Sequence, residues 1–380
     1  MKKIQISSLA IILIFLFLVA CTSSPQQPVK VAASPEKTKT LEIHVINVGQ
    51  GDSFLIISPS GNKVLIDAGN TGRGAAFVLP YLQDHDISSI DYVVASHFHS
   101  DHIGGLDEVV NGLGGSMHIL SAAFDRGGDY NSGAFRDYLK SIGDKRKTIS
   151  PGQTIDLGDD VNIKCIASNG DIPTGRVYSG TDENTLSVVL VLKFHSFDMY
   201  FGGDSNSAIE PSLAPFAGDV DVYKVSHHGS ATSSTQQLLD TLKPEVSVIA
   251  VGNGNNYGHP SAETLSRLIS VNSYIYQTES GAAVPPAGKG EIANGSFKIE
   301  TDGDSYTISG ASLTSITRLT DSRIPEHDLV ESNNVNYDLG TRRWELVELK
   351  DQAIEVPLDK YCRSCGQSCQ KNDTPYISQL

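Results

Sequence analysis

The chain has 380 residues, enough for one large domain and a smaller appendage. Its composition, with 39% hydrophobic residues, is that of a soluble globular protein. The formal net charge of -15 opposes a long-range hold on duplex DNA, but a phosphate-containing substrate stays open to it, because bound divalent cations supply local positive charge.

Residues 1–20 read as an export signal. Lys2-Lys3 is a basic head, and residues 11–19 are an apolar run nearer signal-peptide length than the roughly 20 residues of a spanning helix. The run ends Leu18-Val19-Ala20-Cys21, which resembles the lipobox of bacterial lipoproteins. That resemblance implies lipidation at Cys21 and an extracytoplasmic body anchored by lipid to the cell membrane or the outer membrane. Residues 21–40 carry Ser, Pro, Gln and Lys without an apolar period and read as a flexible tether.

Ordered structure is expected from residue 41, with strands at 41–46, 54–57 and 63–67 around glycine-rich turns. Residues 75–84 have helical spacing that Pro80 interrupts or ends. A strand at 92–95 is followed by helices at 106–111 and 134–142, with a strand at 117–120 between them. Residues 125–131 form an irregular, glycine-rich loop of the kind that faces a substrate. Strands are expected at 161–166, 186–192, 199–201, 220–225 and 246–251. Helices are expected at 236–242 and, capped by Ser261, up to 268. Residues 290–299 and 306–309 read as a closing hairpin. Strands first, then alternating helices and strands, then strands again fit an αββα sandwich of class α/β. The domain is expected to span 41–311. Residues 312–380 read as a small appendage, with one strand near 344–349.

The densest chemistry is Ser96-His97-Phe98-His99-Ser100-Asp101-His102. Three imidazoles and a carboxylate buried together would be unsatisfied unless something bound them. Nitrogen and carboxylate oxygen are donors for zinc and similar divalent cations. In an extended turn His97 and His99 can face one point while Asp101 and His102 face another, which suits two adjacent metals.

The order of motifs resembles the metallo-β-lactamase superfamily over roughly residues 41–310. Asp67 stands at that family's strand-end aspartate, Asp204 after Gly202-Gly203 at its bridging carboxylate, and 97–102 at its metal signature. Gly49-Gln50-Gly51-Asp52-Ser53, Ser226-His227-His228-Gly229-Ser230 and Tyr257-Gly258-His259-Pro260 resemble more specifically the hydrolase domain of the ComEC/Rec2 competence proteins and its stand-alone relatives. The usual histidine between the first motif and Asp204 is absent, and the slot 182–185 offers Asn184 instead. The resemblance then implies a first metal held by His97, His99, Asp204 and His228, and a second held by Asp101, His102, Asp204 and His259. Asp52, Asp67, Asn184, His227 and Tyr257 are expected to support the ligands or meet the substrate, and Lys224 is a further candidate for substrate contact.

The implied reaction is hydrolysis by a hydroxide bridging two divalent cations, zinc or alternatively manganese, with Asp101 orienting the nucleophile or moving its proton. The favoured substrate is a phosphodiester such as DNA, without a stable nucleic-acid complex; a lactonase, a β-lactamase, a phosphorylcholine esterase and a non-enzymatic binding lipoprotein are the alternatives. Cys165 lies in an alternating strand and reads as a core residue. Cys362, Cys365 and Cys369 suit a disulfide with one thiol over.

Overall fold

The computed structural model describes residues 40–320 together with Glu345–Leu346. Cys21, the expected signal and tether, and Cys362, Cys365 and Cys369 lie outside the described residues.

Strands β1 (Leu41–Val45), β2 (Phe54–Ile57) and β3 (Lys63–Ile66) form an antiparallel meander. Alternation sets their two faces: Phe54 and Ile56 point to one core and Leu55 to another. A π-helical turn, Gly74–Val78, runs into α1 (Leu79–Asp84), whose Pro80 lies at the junction of the two. β4 (Ile90–Val94) lies parallel to β3, and helices α2 (Ser100–Ile103) and α3 (Leu106–Leu113) follow it. β5 (Ile119–Asp125), α4 (Gly133–Ile142) and β6 (Arg146–Thr148) complete this half.

The second sheet begins with β7 (Thr154–Asp156) and β8 (Val161–Ala167), after which β9 (Asp171–Ile172) and β10 (Gly175–Arg176) form a separate small hairpin. β11 (Val189–Phe194) and β12 (Phe197–Phe201) pair beside β8. A parallel run follows: α5 (Glu210–Ala217), β13 (Val222–Lys224), α6 (Gln236–Leu242), β14 (Val246–Ile249), α7 (Ala262–Ser270), β15 (Tyr274–Gln277) and β16 (Gly290–Ile292). The chain then returns to the first sheet through β17 (Phe297–Thr301), β18 (Ser305–Gly310), β19 (Ile316–Leu319) and β20 (Glu345–Leu346).

Three apolar layers hold this together. Ile43, Phe54, Ile163, Leu192, Met199 and Phe201 lie in the layer between the sheets. Leu55, Leu65, Phe98, Leu106 and Tyr138 pack the first sheet on its helices, and Val191, Tyr200, Leu213, Leu239 and Leu268 do so for the second. The αββα sandwich expected from element order is thus the fold observed.

Several boundaries differ from expectation, among them the strand expected at 117–120, where Ser116–His118 is a 3-10 turn and β5 runs from Ile119 to Asp125. The strand expected at 290–299 is two strands in different sheets: β16 joins β15, while β17 joins β1. The first sheet continues past residue 311 through β19, because Ile316 pairs with Ile308 in β18. Residues 186–188 precede rather than begin β11, which starts at Val189, and Leu186 instead donates its N–H to Asp182 and Glu183 carbonyls in a turn. Cys165 is buried in the core, as its strand pattern indicated.

Candidate metal centre

Every chemical motif sits at the carboxyl end of a strand. Asp67 follows β3, His97 follows β4, Asp204 follows β12 and His227 follows β13. Parallel strands put these ends along one edge, and the facing sheets bring two such edges together.

Asp67 anchors the first motif. Its backbone is left-handed (φ 58°), and its carboxylate accepts from the Ser96 N–H at 2.8 Å, the Ser96 hydroxyl at 2.6 Å and His102 Nδ1 at 2.8 Å. Nδ1 of His102 therefore carries a proton in either charge state, and Nε2 is the nitrogen that offers a lone pair once the ring is neutral. Removing this support, Asp67→Ala, is expected to weaken metal binding about 10- to 100-fold; titration with a chelator buffer measures it, and unchanged affinity would refute the role. Asp52 ties a second loop to the motif, its N–H donating to the Asp101 carbonyl at 3.2 Å. At Gly51, with φ 139°, a Cβ would come within 2.4 Å of that carbonyl, so glycine is required there.

Sequence reasoning missed the main prop of this loop. Glu183 accepts from the Phe98 N–H at 2.8 Å and takes Arg126 in a two-point ion pair, at 2.7 Å from Nε and 2.6 Å from Nη2. The Arg126 guanidinium covers the Phe98 ring at 4.2 Å. Both charges are buried. Glu183 lies in the flagged slot 182–185, but nothing local marks a residue 57 positions away as its partner.

The second motif turns through Ser226–Gly229. His227 (φ 53°, ψ 44°) and His228 (φ 51°, ψ 23°) are consecutive left-handed residues. Each costs of order 1 kcal/mol. Hydrogen bonds from His227 N–H to the Gly203 carbonyl (3.1 Å), from Ser230 N–H to the His227 carbonyl (2.8 Å) and from Ser233 Oγ to the Ser226 carbonyl (2.8 Å) hold the turn. Its effect is to send adjacent imidazoles to different oxygens of Asp204.

Asp204 is the centre. Its Oδ1 lies 3.3 Å from His102 Nε2 and 3.7 Å from His228 Nε2, and its Oδ2 lies 3.8 Å from His97 Nε2 and 3.7 Å from His227 Nε2. His99 Nδ1 is 3.1 Å from His97 Nε2, and Asp101 Oδ2 is 3.4 Å from His228 Nε2 and 4.0 Å from His102 Nε2. Two donor sets are distinguished by the oxygen of Asp204 they approach, a first at Oδ2 with His97 and His227 and a second at Oδ1 with His102 and His228; they overlap, because donor atoms of His97, His102 and Asp204 lie within 4.8 Å of one another, as do those of Asp101, His102 and His228. Donors about 2.0–2.1 Å from one tetrahedral ion stand about 3.4 Å apart, close to these separations. His102 Nε2, His228 Nε2 and Asp204 Oδ1 are buried without a hydrogen-bond partner, and they converge on one spot. Orphaned buried donors of this type fit a cation.

Charge is matched without metal. Burial opposes the charged form of every group here. Even so, His102, His228 and His227 hold Asp204 well below the usual carboxylate range. Asp204, Asp101 and Asp67 overcome burial to raise His102 well above its ordinary value, and Asp204 with Asp52 raises His228 to about 10. Burial lowers His97 and His227 and brings His259 down to about 4.

His228 Nε2 lies 3.4 Å from Asp101 Oδ2, with its Nδ1 directed to the Ala250 carbonyl at 2.9 Å, and His227 Nε2 lies 3.7 Å from Asp204 Oδ2, the oxygen that His97 also approaches. Adjacent residues in a left-handed turn diverge, which no motif spacing shows. Asn184 contacts His227 Nε2 through Nδ2 at 3.4 Å. His259 is buried beside them, its ring 5.1 Å from His227 and 6.2 Å from His228. Tyr257 stacks on His259 at 5.8 Å and is 70% exposed. Lys224, expected to meet substrate, is instead buried, paired with Asp52 and donating to the Gly203 carbonyl at 2.8 Å. Its ammonium neutralises the extra carboxylate beneath the centre.

The metallo-beta-lactamase superfamily model matches residues 46–252. Recombination protein 2 of Haemophilus influenzae is 27% identical over 245 residues, 63% of this chain and 28% of that protein. ComE operon protein 3 of Bacillus subtilis is 22% identical over 285 residues, 70% of this chain and 35% of that protein. Endoribonuclease ysh-1 of Neurospora crassa is 32% identical over 96 residues, 24% of this chain and 10% of that protein. The chain spans about a third of the length of the first two. The matched segment runs from the end of β1 to just past β14, more than half of the chain and every motif of the two donor sets. This chain therefore belongs to the metallo-β-lactamase superfamily of metal-dependent hydrolases.

Proposed function

We propose that the protein is a phosphodiesterase acting on nucleic acid outside the cytoplasm, held to a membrane by lipid at Cys21, with two divalent cations, zinc or manganese, at its centre. The observation that carries the reading is that four imidazoles, those of His97, His102, His227 and His228, approach the two oxygens of one buried carboxylate, Asp204. A bound pair of divalent ions supplies an activated water and Lewis-acid stabilisation of the charge that develops on a phosphoryl group. The chain's own residues do the rest. Asp67 and the Ala250 carbonyl fix the Nδ1 protons of His102 and His228, so that both Nε2 atoms face the centre. Asp101, the most exposed acid of the sets at 24%, is placed to hold or pass a proton at its outer oxygen. His259 and Tyr257 line the open side and are placed to meet the substrate. The relatives named as an endoribonuclease and as a recombination protein support phosphodiesters over lactones.

The test is metal content of the purified protein followed by a substrate panel of single-stranded DNA, a bis-aryl phosphate and a lactone. His228→Ala and His227→Ala are each expected to lose about one of two bound ions and at least about 10²-fold in kcat/KM. Lactone turnover without diester turnover would overturn the substrate assignment. Full metal content in His227→Ala would overturn its place in the first set.

A further inference from the structure

Between the loop after β5 and helix α4 lies an open cavity of about 480 Å³, lined by Asp129, Tyr130, Asn131, Phe135, Arg136 and Leu139. It adjoins the metal centre: the Tyr130 ring meets the His99 ring edge-on at 6.0 Å. Phe135 supports Tyr130 from within the core, at 6.5 Å and nearly perpendicular. Arg136 is exposed and makes no ion pair among the described residues. Asp129 is the one acid on this wall; it lies close enough to Arg146 to favour that residue's charge. Near His227, Tyr257 lies over His259 with 26° between the rings and is 70% exposed.

The centre is therefore bordered by two tyrosines, one of them beside a cavity with an unpaired guanidinium. From this arrangement, and resting on the phosphodiesterase reading above, we infer that the substrate is a single-stranded nucleic acid threaded across the centre. One base stacks on Tyr257. The strand on the far side of the scissile phosphate enters the cavity, where Tyr130 takes a base and Arg136 takes the next phosphate. Stacking needs a base with a free face, so the interior bases of a duplex cannot use either tyrosine. A net charge of -15 also disfavours a duplex, whose charge density is higher. A small diester fills only the centre and gains nothing from the cavity.

The test uses a fluorescently labelled 12-nucleotide DNA, bound in excess EDTA so that no cleavage occurs, and then cleaved with manganese. Tyr257→Ala is expected to weaken binding about tenfold, with Tyr257→Phe restoring it. Arg136→Ala is expected to flatten the slope of log Kd against log salt by about 0.7. In both alanine variants the loss in kcat/KM on the 12-mer should exceed the loss on a bis-aryl phosphate at least tenfold. Wild-type affinity in both variants, no binding by the wild type, or equal affinity for a duplex of the same length would overturn the inference. Binding that depends on these residues without cleavage of any diester would instead remove the hydrolytic reading and leave the strand path standing.

Discussion

Asp204→Ala is expected to abolish metal binding at both positions and to lower kcat/KM on a phosphodiester by about 10³-fold or more. Its two oxygens face four imidazoles: His97 and His227 approach Oδ2, and His102 and His228 approach Oδ1. Removing the carboxylate also strands the two imidazoles that it holds charged in the metal-free protein, His102 and His228. The variant should thus fall from two bound ions to none, rather than to one as for His227→Ala or His228→Ala. Elemental analysis beside circular dichroism separates loss of metal from loss of fold. Retention of one tightly bound ion, or DNA cleavage at wild-type rate, would sink the shared-carboxylate arrangement.

The largest effect on stability is expected at the buried pair that props the metal loop. Arg126→Ala leaves the Glu183 carboxylate buried and uncompensated, a change that costs about 3–5 kcal/mol. For a domain of this size that lowers Tm by about 10 °C. Glu183 also accepts the Phe98 N–H between His97 and His99. Loosening it should therefore weaken the first donor set before the second. Replacing both partners, Arg126→Met with Glu183→Leu, should recover much of the lost Tm but not the metal affinity, because the Phe98 N–H still lacks its acceptor. Scanning calorimetry and metal titration read the two effects separately. A Tm within about 2 °C of wild type in Arg126→Ala would show that the pair is not a structural prop.

Much of the molecule was legible in the order of residues. The apolar alternation of 41–66 and 161–201 defines strands with one face for each neighbouring layer, and the layers follow from it. The loop 97–102 carries too many buried donors to be packing, and the strand-end aspartates 67 and 204 complete its pattern. Boundaries were less legible. Gly290–Ile292 and Phe297–Thr301 lie close in sequence and read as one strand, yet they pair in different sheets, because pairing is decided by β15 and β1 far away in the chain.

The sequence alone determined the identity of the donor atoms, since imidazole and carboxylate chemistry belongs to the residue, and their delivery at strand ends, since periodicity and glycine punctuation are local. Only the tertiary structure decided who stands with whom. Two left-handed residues send His227 and His228 to different oxygens of Asp204. A buried ammonium at Lys224 and a distant Arg126 take the charges of Asp52 and Glu183. Such pairings depend on backbone dihedrals and on contacts between residues far apart in the chain, and those are properties of the folded chain rather than of any stretch of it.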